Sequence, residues 1–242
     1  MNGQTSNLFL SSLSPVNCEF LLSLSTAVEL PLHTVLYEEE CTPRYAYFLT
    51  SGLASVVTPM SNGEAVEVGF IGREGVVGSL HLLGPTSLST RCMMQLSGAA
   101  LRIQYRELQK AYASSDEIRD RTLEFVQEQA AMVGQIAGCN RLHSAEQRLI
   151  RWLLTAQDRT QTNDLKFTHE YLADMIATHR TTITTITRAL QKRGFISYSR
   201  GTIIILNRDG LEGSACDCYG ITKRLYANLY GGEALIASKS RR

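Results

Sequence analysis

The pattern of apolar and polar residues changes along the chain. Residues 1–27 are rich in Ser and Leu and predict a short helical lead-in. From about residue 28 to residue 103 the apolar residues form short runs broken by Gly, Pro and Asn, as is typical of β-strands. The clearest predicted strands are residues 45–49, 54–58, 65–70 and 91–96. An Asn-Gly hairpin turn is predicted at residues 61–64, and many short strands favour a barrel or a double-sheet roll.

Residues 105–142 have the spacing of a long helix, with Asp116 as its predicted cap. One apolar face repeats every seven residues, at Ile118, Phe125, Met132 and Cys139. A second apolar flank, named here the outer stripe, consists of Leu123, Val126, Ala130, Val133 and Ala137. Two apolar flanks suggest that the helix contacts its own roll and also a partner helix. A helix packed only within one chain is the alternative.

A second helix is predicted to begin after Ser144, because Ser144 and Gln147 form a capping box. It runs through Arg159, so the boundary between two modules lies near residues 142–144, a candidate hinge. Further on, Asp209 is predicted to cap a last helix, and the basic end of the chain is expected to fray.

Residues 167–193 predict two helices joined by a tight turn. Thr168 is a good cap for the first helix. Residues 177–179 form the turn, and Thr178 or His179 can cap the second helix. The buried stripe of that second helix is Ile183, Ile186 and Leu190. This layout is typical of a helix-turn-helix, which places its second helix in the DNA major groove.

The opposite face of the second helix is rich in Thr, a poor helix former that needs another reason to be there. Arg180 can bind guanine through two hydrogen bonds, whereas Lys192 and Arg193 suit phosphates. The predicted DNA contacts are Thr168, His179, Arg180, Thr181, Thr182, Thr184, Thr185, Arg188, Lys192 and Arg200. An ordinary amphipathic helix with a solvated polar face is the alternative interpretation.

Two short strands, residues 195–198 and 202–206, are predicted on either side of an Arg200-Gly201 turn. A hairpin after a helix-turn-helix makes a winged helix. Arg200 at the tip of the wing is predicted to contact the DNA backbone or minor groove, or to be a plain surface turn. We therefore expect an α+β chain with a β-roll effector or sensor domain (1–110), a dimerisation helix and hinge (111–143), a winged-helix DNA-binding domain (144–222) and a C-terminal tail (223–242).

The charge of the chain is unevenly distributed although its net value is only +1. Residues 1–143 hold 9 Lys and Arg against 14 Asp and Glu, whereas residues 144–206 hold 9 against 5. A basic module attached to an acidic one fits DNA binding by one part of the chain.

Neither a membrane span nor a secretion signal is expected, because no long apolar run is present. The six cysteines are scattered, which favours a reduced, cytoplasmic protein. Cys216 and Cys218 are one residue apart, but no second pair has zinc spacing. Packing or chance is therefore the preferred explanation for this pair, and no metal is expected.

The roll, the long helix and the winged helix resemble the Crp/Fnr family of bacterial transcription regulators over about residues 8–220. The resemblance implies an N-terminal double-stranded β-helix or jelly roll of the cyclic-nucleotide-binding type. It also implies a homodimer on promoter DNA and contact with RNA polymerase. Arg180 matches an arginine that cyclic-AMP-binding members use on DNA, while Thr181 and Thr185 replace their Glu and second Arg. A different half-site is therefore predicted.

The effector site departs further from the cyclic-AMP-binding members, which use Gly-Glu-Leu for the ribose and Arg-Ser for the phosphate. Leu88-Ser89 stands near the Arg-Ser position, and a buried phosphate without its arginine is costly. The pocket residues that the resemblance implies are Gly78, Ser79, Leu80, Ser89, Arg91 and Val133. A cyclic-AMP site is not expected, and the effector is unknown. Only Cys18 lies near the N-terminus, which argues against an iron–sulfur cluster, and a lone His33 or His81 is more often structural than a haem ligand. No cofactor is expected.

The leading hypothesis is therefore a homodimeric DNA-binding transcription regulator. The alternative is a cyclic-nucleotide-binding regulatory module that acts mainly on a protein partner. An enzyme is not expected, because the sequence has no nucleophile elbow, phosphate-binding loop, zinc signature or paired-carboxylate motif.

Overall fold

The computed structural model describes residues 6–61, 65–84 and 87–231. Two short helices, α1 (Leu8–Ser12) and α2 (Pro15–Ser23), form the predicted lead-in. Asn7 caps α1 by accepting the Leu10 N–H at 3.0 Å, and Pro15 occupies the first helical position of α2, where its missing N–H costs nothing. The first strand begins at Ser25, slightly earlier than predicted.

Eight strands then form two four-stranded antiparallel sheets. They are β1 (Ser25–Leu30), β2 (Val35–Tyr37), β3 (Tyr45–Leu49), β4 (Leu53–Pro59), β5 (Ala65–Ile71), β6 (Val76–Val77), β7 (Arg91–Leu96) and β8 (Gly98–Gln104). The strand orders are β1-β8-β3-β6 and β2-β7-β4-β5, which confirms the predicted double-sheet roll. β3 and β7 have the predicted limits. The predicted Asn-Gly turn between β4 and β5 lies largely outside the described residues.

The long helical region is two helices rather than one, α3 (Tyr105–Ser114) and α4 (Asp116–Leu142). The prediction that Asp116 caps the helix was wrong by one residue. Ser115 has extended backbone angles and accepts the Ile118 N–H through its hydroxyl at 3.4 Å. Asp116 lies in the first turn instead, where its negative charge suits the positive end of the helix dipole.

The inner face of α4 is buried as its seven-residue repeat predicted: Ile118 and Phe125 join the core of the roll, whereas Cys139 packs against Cys216 and Cys218. Ile118, Phe125, Met132 and Cys139 are all buried. Gly75 of the roll is required at this contact, because a Cβ there would lie 2.0 Å from the Phe125 ring. The C-terminal end of α4 at Leu142 marks the start of the next module.

The C-terminal module is a winged helix. Its elements are α5 (Ala145–Thr160), β9 (Asp164–Lys166), α6 (His169–Met175), α7 (Arg180–Lys192), β10 (Ile196–Ser199), β11 (Thr202–Ile205), α8 (Arg208–Glu212) and α9 (Asp217–Asn228). The strands form one sheet of order β10-β11-β9. The capping box of Ser144 and Gln147 is present at the start of α5, as predicted.

The end of the described chain differs from the prediction in two respects. Asn207, not Asp209, caps α8 by accepting the Gly210 N–H at 2.8 Å, because a capping side chain must precede the first helical residue. A separate helix, α9, follows with Cys216 at its N-cap position. The expected domain limits after residues 110 and 222 fall within α3 and α9. No helix in the described ranges combines the length and the apolar character that a membrane span requires.

The winged helix packs against the outer surface of the second sheet of the roll. At this contact Glu67 of β5 is buried and accepts hydrogen bonds from the Ser55 hydroxyl (2.7 Å), the Gln95 amide (3.0 Å) and the Trp152 indole of α5 (2.8 Å). Burial raises the pKa of Glu67 to about 7, although these three bonds favour its charged form. Leu53, Phe70 and Leu96 of the roll join the apolar core around α5.

A buried arginine joins the two modules at a second point. The Arg159 guanidinium of α5 lies 3.2 Å from Glu74 of the roll and 2.7 Å from Glu128 of α4. It also lies over the ring of Tyr226 in α9, 4.2 Å from the centroid. Burial disfavours its charge, but the two carboxylates outweigh this effect and raise the pKa of Arg159. One charged group therefore holds four segments of the chain together.

Candidate DNA-binding surface

The helix-turn-helix is formed by α6 and α7. Thr168 caps α6 as predicted, by accepting the Tyr171 N–H at 3.1 Å. Ala177 adopts a positive φ of 50° in the turn, and the Thr178 N–H donates to the Ala173 carbonyl at 2.9 Å. His179 occupies the N-cap of α7, but its side chain makes no capping bond. His179 therefore has the predicted position at the cap of α7, but the predicted capping hydrogen bond is not made.

The two faces of α7 are divided as the sequence pattern predicted. Ile183, Ile186 and Leu190 are buried. The exposed predicted contacts are Arg180, Thr181, Thr185, Arg188 and Lys192. Thr182 and Thr184 are half-buried at the edge of this face. A polar surface about three helical turns long is therefore open to solvent on the second helix of the motif.

The threonine hydroxyls of α7 bond back to the helix itself. Thr184 and Thr185 donate to the carbonyls of Arg180 and Thr181, each at 3.1 Å, and Thr187 donates to Ile183 at 2.9 Å. The back-bond of Thr185 uses its hydroxyl proton and leaves an oxygen lone pair and the methyl group free, whereas Thr184 and Thr187 also bond to His169. The exposed Thr185 side chain is therefore suited to accept a hydrogen bond and to make methyl contacts.

Sequence reasoning missed His169, which positions the polar face of α7. Its ring nitrogens lie 3.0 Å from the Thr184 hydroxyl and 3.1 Å from the buried Thr187 hydroxyl. The ring also stacks on Tyr198 of β10, with centroids 4.1 Å apart. Burial, and then the charges of Arg180 and Arg188, lower the pKa of His169. A neutral ring therefore links α6, α7 and the wing. In the sequence, only the position of His169 directly after the Thr168 cap could have pointed to this role.

The wing tip is a tight two-residue turn. Arg200 and Gly201 have φ angles of 49° and 77°, and Ser199 pairs with Thr202 on either side. Positive φ at both central positions is the geometry that matches the twist of antiparallel strands. Arg200 is exposed. A Cβ on Gly201 would lie 3.8 Å from the Thr168 methyl group, so the wing tip lies beside the start of α6.

Arg193 is held differently from the other basic residues. It forms an ion pair with Glu146 at 2.6 Å, and its guanidinium lies 4.8 Å from the centroid of the Phe195 ring. An arginine in such a pair has less freedom to reach a phosphate than Lys192, which lies at the exposed C-terminal end of α7.

The predicted effector residues lie in different surroundings. Gly78, at φ 95°, precedes a short 3₁₀ helix, Ser79–Leu83. Ser79 is buried, and Arg91 at the start of β7 is half-buried. Leu80, Ser89 and Val133 are exposed. The effector pocket therefore stays a prediction.

Aromatic side chains occupy the roll next to these residues. His81 is buried beside Tyr37, with ring centroids 4.8 Å apart, and burial lowers the pKa of His81. His33 is exposed, with φ 65°. Neither histidine was assigned a role from the sequence.

Comparisons with known proteins agree with this architecture. Residues 27–115 match the model of the cyclic nucleotide-binding domain, and residues 147–213 match the model of the Crp-like helix-turn-helix domain. The chain belongs to the Crp/Fnr family. No curated protein matches the sequence.

Several solved structures share the fold at low sequence identity. FixK2 from Bradyrhizobium japonicum is 15% identical with a TM-score of 0.68, covering 79% of this chain and 98% of its own. A CRP-family transcriptional regulator from Thermus thermophilus is 20% identical with a TM-score of 0.64, covering 78% and 96%. The c-di-GMP responsive global regulator CLP from Xanthomonas campestris is 15% identical with a TM-score of 0.62, covering 79% and 99%.

Proposed function

We propose that this Crp/Fnr-family protein is a homodimeric, sequence-specific DNA-binding transcription regulator whose helix α7 enters the major groove. The observation that supports it is the polar face of α7, which is exposed along its length while the opposite face is buried. In a helix-turn-helix the N-terminal residues of the second helix contact base edges. Contact with RNA polymerase belongs to the proposal through family membership alone.

Each part of the surface has a distinct role in this proposal. Arg180 at the start of α7 reads a guanine, and Thr181 and Thr185 contact thymine methyl groups or accept hydrogen bonds from base amino groups. Arg188 and Lys192 contact phosphates, which fix the register without reading sequence. Arg200 on the wing reaches the backbone or minor groove.

The proposed dimer forms along the outer stripe of α4. Its five residues follow one another at intervals of three and four, which is the spacing of a coiled-coil seam. Leu123 and Val133 are 43% and 42% exposed in the single chain, Ala130 and Ala137 are also exposed, and Val126 is half-buried. A twofold dimer through this stripe presents two α7 helices to two inverted half-sites.

The alternative, a cyclic-nucleotide module that acts mainly on a protein partner, has weaker support. The match to the cyclic nucleotide-binding model describes the roll, whereas Leu88-Ser89 lacks the arginine that a buried phosphate needs. Calorimetry with cyclic AMP and cyclic GMP separates the two proposals. We expect no heat of binding at millimolar ligand, and clear saturable heat would favour the alternative.

The proposal is tested by selecting binding fragments from random or genomic DNA and titrating them against the protein at several salt concentrations. Binding should be specific, and the logarithm of the affinity should fall linearly with the logarithm of the salt concentration. Failure to enrich any sequence, together with no salt-sensitive binding to any fragment, would overturn the proposal.

Two substitutions separate base reading from phosphate contact. Arg180→Ala should weaken binding to the selected site by about 1–3 kcal/mol, roughly 5- to 150-fold, and relax the preference at one base pair. Lys192→Ala should weaken binding to all sequences about equally and reduce the salt slope by about 1. Fluorescence anisotropy on a panel of single-base variants measures both effects.

Arg106→Ala is the matched control, because Arg106 is an exposed arginine of α3 on the roll. It removes the same charge and should leave both affinity and preference unchanged. An Arg180→Ala variant that binds the whole panel like the Arg106→Ala variant would show that the register assigned to α7 is wrong.

A further inference from the structure

Three cysteines and a histidine from distant parts of the chain meet at the junction between α4 and α5. Cys139 lies in the last turn of α4 and His143 is its C-cap, four residues later. Cys216 and Cys218 lie at the N-terminus of α9. The three cysteines are buried, and the His143 side chain is 23% exposed. Cys216 and Cys218 have no second pair of ligands close in the chain, but the fold brings Cys139 to them from 77 positions before Cys216.

The four ligand atoms have the spacing that a single tetrahedral ion requires. They all lie within 4.8 Å of one another. The sulfurs of Cys139 and Cys216 are 3.7 Å apart, and the Cys218 sulfur is 3.4 Å from Nδ1 of His143. Zinc bonds of about 2.3 Å to sulfur and 2.0 Å to nitrogen, at tetrahedral angles, place two sulfurs about 3.8 Å apart and a sulfur and a nitrogen about 3.5 Å apart.

The surroundings of the cluster also favour a cation. The second ring nitrogen of His143, Nε2, lies 3.4 Å from a carboxylate oxygen of Asp217. This is the outer partner that orients a metal-binding imidazole and makes it more basic. The Gln135 side-chain amide donates to the Cys218 sulfur at 3.0 Å, and the positive end of the α9 dipole suits negatively charged thiolates.

We propose that Cys139, His143, Cys216 and Cys218 form a structural Zn²⁺ site. Three cysteines and one histidine are a ligand set of closed structural zinc sites. A disulfide between Cys139 and Cys216 would use two of the four groups and leave the Cys218–His143–Asp217 chain unexplained. A cluster of several irons needs its protein ligands farther apart than these four atoms lie.

The bound ion has a clear mechanical consequence. It ties α9 to the last turn of α4, directly beside the Leu142–Ser144 junction where the winged helix begins. Because His143 is itself a ligand, the ion restricts rotation at this junction. The site would therefore hold the DNA-binding module in a defined position relative to the roll.

The test uses the full-length reduced protein, freed of metal and titrated with Co²⁺ as a spectroscopic substitute for Zn²⁺. We expect one Co²⁺ per chain, with the intense visible and near-ultraviolet bands of tetrahedral thiolate coordination, displaced by one equivalent of Zn²⁺. Elemental analysis of the freshly purified protein should find about one zinc per chain. The proposal would be overturned if the purified protein contained no zinc and the titration produced none of these bands.

Variants assign the ligands. Cys216→Ser should lose the bands, while Cys41→Ser, which changes an exposed cysteine of the roll, should keep them. Asp217→Asn alters an exposed side chain outside the proposed ligand set and should weaken Zn²⁺ binding about 10- to 100-fold without unfolding the protein. Unchanged metal affinity in both the Cys216→Ser and Asp217→Asn variants, or a stoichiometric Cys139–Cys216 disulfide in protein purified without oxygen, would contradict it.

Discussion

The Ala130→Glu variant is expected to be a monomer of 26.8 kDa that has lost tight binding to a two-half-site operator. Ala130 is exposed at the centre of the outer stripe. In a twofold dimer, Glu at this position would bring two like charges together in an apolar seam, which is strongly unfavourable. A monomer binds only one half-site. Because it loses the gain from binding two linked half-sites at once, its affinity for the operator should fall by about 10²–10⁴-fold. Sedimentation and anisotropy measure the two effects.

Ala131→Glu is the matched control. Ala131 is the next residue, is also exposed and lies about 100° further round the helix, outside the outer stripe. It should remain a dimer and keep its affinity for the operator. If both variants behave alike, or if the Ala130→Glu variant sediments as a dimer, the outer stripe is not the dimer interface.

The largest loss of stability is expected from Arg159→Met. The substitution keeps an unbranched apolar stem but removes the guanidinium and leaves the Glu74 and Glu128 carboxylates buried without their cation. Breaking a buried ion pair from one side costs about 3–5 kcal/mol. The free energy of unfolding, measured by urea denaturation, should fall by that amount.

Arg119→Met serves as its control, because the Arg119–Asp116 pair of α4 is exposed to solvent. Loss of an exposed pair costs about 0–1 kcal/mol. Neutralising both acids together with Arg159, in the triple variant with Glu74→Gln and Glu128→Gln, should recover part of the lost stability. An Arg159→Met variant as stable as Arg119→Met would show that the triad does not hold the modules together.

The sequence predicted those elements that are determined by residues close together in the chain. The short apolar runs of β3 and β7, the capping box of α5 and the buried stripe of α7 each depend on residues a few positions apart. The strands that were not individually predicted lack such a signal. β2 and β6 have only three and two residues, and β8 begins Gly-Ala-Ala.

The features that could not be predicted join residues distant in the chain. Glu67 and Trp152 are 85 positions apart, and Cys139 and Cys216 are 77 apart. A charged side chain such as Glu74 or Glu128 is ordinarily exposed to solvent. Both are buried here because Arg159, which lies far away in the sequence, forms ion pairs with them. The proposed DNA-contact residues could be predicted from the sequence because one helix supplies most of them. The proposed metal site was not, since two helices supply its ligands.

The indole that bonds to Glu67 belongs to the single tryptophan of the chain. Its fluorescence therefore arises at the surface where the winged helix meets the roll and nowhere else. A shift in emission on adding a candidate signal molecule would register separation or rearrangement of the two halves without any attached dye. The protein thus contains an intrinsic optical probe with which candidate effectors can be screened.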